Sequence, residues 1–137
     1  MRFALGLLFA ILSFAASSSG AMAEDALKLE LNKVESIKGH CRMSYLIENK
    51  ADLAVDSFKL DLVILGTDNT MQRRMVIDIA PVRAAKTIFR VYEIEPDCEA
   101  IGSVLVNDVQ SCAPGEASAC LDRLALSSRV PSIRLFK

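Results

Sequence analysis

Apolar and polar residues alternate with a period of two along most of this chain, the pattern of half-buried β-strands. Phe58, Leu60, Leu62 and Ile64 share one face of a strand, with Lys59 and Asp61 on the other. The second face turns apolar at Val63 and Leu65, which predicts a central strand. Residues 74–79 repeat the pattern, setting Met75, Ile77 and Ile79 against Arg74 and Asp78. Gly66-Thr67-Asp68-Asn69-Thr70 joins the two arms and is a turn by composition. A helix over either arm would scatter charges through its apolar stripe, so the pair reads as a hairpin.

The rest of the chain follows suit. Leu27, Leu29 and Leu31 alternate with Lys28, Glu30 and Asn32, and Cys41, Met43, Tyr45 and Ile47 line one face of a second strand. Asn49-Lys50-Ala51-Asp52 turns the chain. Pro81 ends the second arm of the hairpin, because proline donates no ladder hydrogen bond. Residues 87–94 are rich in β-branched and aromatic side chains and predict a strand whose two faces look alike. Pro96 and Asp97 stop it. Residues 101–109 form the next strand, and Val104-Leu105-Val106 implies burial on both sides. Asn107-Asp108 interrupts that strand, and one of the two is expected to point inward and be hydrogen-bonded. Residues 111–119 read as a loop around Pro114 and Gly115, 118–123 as one helical turn, 124–130 as a strand, and 132–136 as an edge strand after Pro131. The fold class is therefore all-β, an antiparallel sandwich of about seven strands, with a barrel as the alternative.

Composition enters through the N-terminus. Met1-Arg2, an apolar run over residues 3–16, and Ala21-Met22-Ala23 make a secretory signal peptide spanning residues 1–23, with cleavage expected before Glu24. The apolar run is short for a bilayer span, so no integral membrane segment is expected after cleavage. Residues 24–137 are one domain by length. The whole chain carries a net charge of −1, one unit more negative once Arg2 leaves. Nucleic acid, which needs a basic face, is excluded as an expected partner. The expected location is the periplasm.

Cys41, Cys98, Cys112 and Cys120 all lie in the exported part, where disulfides persist. If strands run alternately up and down, Cys41 and Cys98 meet at one end and Cys112 and Cys120 flank a loop at the other. Cys41–Cys98 with Cys112–Cys120 is the favoured pairing among three. A metal or thiol-redox alternative would use His40, Cys41 and Met43, or Met71 and Met75, as soft copper(I) ligands. That alternative needs free thiolates, which bridges would consume, so no cofactor and no metal are expected. His40 is the only histidine, and Cys-x-x-Cys, Gly-x-Ser-x-Gly and Gly-rich phosphate loops are missing from the sequence. No catalytic residue is assigned and no enzyme activity is expected.

Two polar clusters remain as interaction candidates. Arg73 and Arg74, with Arg83 and Lys86, could form a basic rim, although an edge guarded against strand pairing is the simpler reading. Asn107 and Asp108 are the second, with pinning of a neighbouring loop as their simpler reading.

Asn49, the run Phe58-x-Leu60-x-Leu62-Val63, the polar turn and Pro81 together resemble single-domain immunoglobulin-like sandwiches of bacterial exported proteins, including the FxLYD type. Leu105-Val106-Asn107-Asp108-Val109 with Cys112 and Cys120 is similar to small uncharacterised exported proteins of Gram-negative bacteria. The chain departs from the motif with Leu65-Gly66 where Tyr-Asp would stand. The resemblance implies an immunoglobulin-like fold in the periplasm and carries over no catalytic residue. The function expected is a non-enzymatic binding or accessory module, stabilised by disulfides, that docks another envelope protein.

Overall fold

The alternating stretches become eight strands in a computed structural model that describes residues 26–137. The signal peptide read over residues 1–23 lies outside them. In chain order the strands are β1 (Leu27–Ile37), β2 (His40–Asn49), β3 (Ser57–Gly66), β4 (Met71–Asp78), β5 (Lys86–Ile94), β6 (Ile101–Ala113), β7 (Leu124–Ser128) and β8 (Arg134–Phe136). One short helix, α1 (Ala117–Asp122), stands where a helical turn was expected. The strands form two four-stranded sheets, ordered β5-β2-β1-β7 and β4-β3-β6-β8, packed as a sandwich. Among the described residues no helix is long and apolar enough to cross a membrane.

The core follows from the period of two. Leu29, Leu31, Tyr45 and Ile47 from one sheet meet Phe58, Leu60, Leu62 and Ile64 from the other, all essentially solvent-free. Each such side chain contributes about 1.5–3 kcal/mol relative to leaving it exposed. As Val63 and Leu65 predicted, β3 is central, paired to β4 and β6. Its hairpin turn places Asn69 at φ 65, a left-handed conformation asparagine tolerates, and Asp68 Oδ1 accepts from the Thr70 N–H. Beside this turn Gly102 is required, since a Cβ there would stand 2.7 Å from the Gly66 carbonyl oxygen.

Three expectations need correction. The sheets are mixed rather than purely antiparallel, because β7 runs parallel to β1 and β8 parallel to β6. The cause is α1, which turns the chain at the same end where β1 begins, so β7 sets off in the direction of β1. The β6 strand continues to Ala113 and pairs with β3 as far as Ser57, which shortens the loop read over 111–119. Finally, neither Asn107 nor Asp108 points into the core. A bulge between the Asp61 and Leu62 registers inserts one residue, so both side chains face out while Val106 and Val109 face in.

The two favoured disulfides are present, Cys41–Cys98 and Cys112–Cys120. They staple opposite ends of the sandwich. The first ties the start of β2 to the turn after β5; the second ties the end of β6 to α1.

Candidate interaction surface

β4 and β5 follow one another in sequence but join different sheets, each as an edge strand. They flank the same side of the sandwich. Tyr92 Oη of β5 donates to the Asp78 carbonyl oxygen of β4 at 2.7 Å, and the Arg90 guanidinium reaches the Pro81 carbonyl. Burial raises the Tyr92 phenol above its usual range. The Tyr92 ring also stands edge-on to buried Tyr45, with centroids 6.0 Å apart. The chain between the strands is pinned by Asn49. Its buried amide donates to the carbonyls of Leu53, Val82 and Arg83 and accepts from the Ala51 N–H.

On β4 the outward face is mixed: Val76 is 47% exposed, while the charge of Arg74 beside it is tied down. Arg74 grips Asp61 of β3 with two bonds, Nε to Oδ1 at 2.9 Å and Nη2 to Oδ2 at 2.7 Å. Asn107 Nδ2 adds a third at 2.8 Å. Asp61 is 2% exposed although it lies on the outer face, since Arg74 and Asn107 roof it over. The Arg74 guanidinium beside it holds the Asp61 carboxyl below the usual carboxylate range, burial opposes this, and Asn107 adds to the lowering. The bidentate fork orders Arg74 along the rim of the sheet.

The outward face of β5 is different. Phe89 is 56% and Val91 54% exposed, two residues apart on one face. Opposite them in the β2 ladder stand half-buried Leu46 and Ser44, so the apolar patch runs inward from the open rim. The charges on this strand do not screen the patch. Arg90 donates to the Phe89 carbonyl at 3.1 Å and to the Pro81 carbonyl at 3.4 Å, and Glu93 pairs with Arg42 at 2.7 Å. Long apolar edge strands invite pairing by another chain.

Of the residues singled out in sequence, Arg74 and Asn107 converge on Asp61. Asp108 sits next to them, facing Asp61 across the ladder, and accepts from the Val109 N–H. Arg73 does not join them; it reaches Glu95 at 3.7 Å, which also meets His40 at 3.3 Å beside the Cys41–Cys98 end. Arg83 lies at the opposite end with Asn49, so the basic rim does not assemble. The edge strand read over 132–136 is only Arg134–Phe136, with Arg134 stacked 4.0 Å over the Phe136 ring. Met43 and Met75 line one small space in the core, whereas Met71 is exposed, so Met71 and Met75 do not share a site. All four cysteines are bridged, and among the described residues no group of three or more His, Cys, Asp or Glu side chains is placed to hold a metal. The core space between Met43, Tyr45, Leu62 and Tyr92 is too small for water.

The sequence reading missed Asp61 and the Phe89–Val91 pair. A signal for the second existed, namely the two look-alike faces of residues 87–94. No family model, no curated protein and no solved structure matches this chain.

Proposed function

We propose that this protein is an exported, non-enzymatic binding or accessory module of the bacterial envelope, which docks another envelope protein along the open rim of β5. One observation carries the reading: Phe89 and Val91, both more than half exposed, stand side by side on one face of a nine-residue edge strand. Such an edge recruits an extended segment by β-strand addition, with backbone hydrogen bonds for affinity and the apolar pair for specificity.

Export is supported by the leader pattern over residues 1–23 and by two disulfides, which persist in oxidising compartments. An immunoglobulin-like assignment is supported by the partition of strands, with β1, β2 and β5 in one sheet and β3 and β6 in the other. The bridge differs from the antibody arrangement, because Cys98 precedes β6 instead of lying within it.

Export and docking are tested separately. The protein recovered from the periplasm is expected to have the mass of the chain from Glu24, with four cysteines refractory to alkylation. In crosslinked cells the wild type is expected to yield a discrete envelope adduct that Val91→Lys abolishes. An adduct pattern indifferent to that substitution, or none at all, sinks the docking reading.

A further inference from the structure

A pocket of about 160 Å³ opens at the Cys112–Cys120 end, away from both the Asp61 cluster and the exposed β5 pair. Leu53, Val55, Phe58 and Pro114 line it together with the disulfide, and Leu53, 61% exposed, stands at its mouth. Two polar residues join the lining, Asn49 and Arg123. The Asn49 amide is spent on the backbone, with its nitrogen facing three carbonyls and its oxygen taking the Ala51 N–H. That leaves Arg123, which forms no ion pair among the described residues.

An apolar recess with an exposed, unpaired arginine among its lining residues discriminates in a simple way. A cavity of about 150 Å³ admits a benzene ring, so the volume suits one compact apolar group. Its anionic substituent would meet the planar donor fork of Arg123, which matches a carboxylate. We propose that this pocket is a binding site for a small apolar carboxylate, an aromatic or short branched acid. The walls are preorganised, because the Asn49 bonds and the Cys112–Cys120 bridge hold both sides in place before anything binds. This site is independent of the β5 rim, and either can fail without the other.

The test is a nitrogen-15 NMR titration of the protein expressed from the full chain and recovered with both bridges formed. Phenylacetate is the probe, benzyl alcohol its neutral counterpart and acetate the headgroup alone. Phenylacetate is expected to shift amides around Leu53, Phe58 and Arg123 saturably, more tightly than benzyl alcohol, with acetate failing to saturate. Arg123→Gln should weaken phenylacetate about tenfold and leave benzyl alcohol unchanged. Ala54 also lines the recess, so Ala54→Phe should plug it and abolish both, with an otherwise native spectrum as the control for folding. Absence of saturable shifts at these amides overturns the proposal. So does phenylacetate binding that ignores Arg123→Gln, or that persists in the plugged variant of native spectrum.

Discussion

Two edge strands on one flank of this sandwich solve the same problem in opposite ways. The rim of β4 carries Arg73 and Arg74, each drawn into an ion pair, and Arg74 is fixed by both oxygens of a buried aspartate. The rim of β5 carries Phe89 and Val91 with nothing over them. Charge on an edge deters pairing by another chain, whereas bare apolar residues promote it. The difference lies in the company each exposed apolar residue keeps: Val76 of β4, 47% exposed, stands beside the clamped Arg74, whereas Phe89 and Val91 are neighbours on one face of β5. One edge is guarded at the cost of burying Asp61, and the other is left open.

The largest expected effect is on what anchors the open edge. Cys98 follows β5 directly and ties it to β2, so Cys41→Ser with Cys98→Ser should lower stability by about 4 kcal/mol on loop entropy. Denaturant unfolding reads the loss, and amide exchange should rise more in β5 than in β4. Removing Cys112–Cys120, which closes a much shorter loop, should cost about 2.5 kcal/mol and leave β5 exchange unchanged.

Next comes the guard. Asp61→Asn removes the anchor of Arg74 and should cost about 1–2 kcal/mol at neutral pH. The sign of its pH dependence follows from the lowered carboxyl. With a folded value below the unfolded one, the stabilisation is present above about pH 4 and is lost as pH falls through the folded value. The variant should therefore lose less stability than the wild type on acidification, measured by urea midpoints across pH 2 to 7. A parallel acid limb would contradict the role given to Asp61.

Smaller still is the link between the edges. Tyr92→Phe deletes the bond to the Asp78 carbonyl and should cost about 1 kcal/mol, seen as a lower unfolding midpoint. Least of all in stability is Val91→Lys, within about 0.5 kcal/mol, since Val91 touches mostly solvent. Its effect falls on partner capture, which converts β5 into a second guarded edge.

Much of this architecture is legible in the chain alone. The β3–β4 hairpin and both disulfides were legible because strand period, turn composition and alternating direction are local signals. The parallel course of β7 was not, since it depends on where α1 returns the chain. Asn107 and Asp108 were misassigned because a bulge shifts the period by one residue and leaves no mark in the polar–apolar pattern. Residues 87–94 showed apolar side chains on both faces, but which face meets solvent is decided by the sheet partner β2. Asp61 looked like an ordinary outward acid because the atoms that bury it come from Arg74 and Asn107, distant in sequence.

The most direct test of the open edge is site-specific photocrosslinking in living cells, with a photoreactive phenylalanine analogue placed at Phe89 or at Arg74. A discrete adduct to an envelope protein is expected from position 89, abolished by Val91→Lys, and none from position 74. An adduct from 74 with none from 89, or no discrete adduct from either, would contradict this expectation.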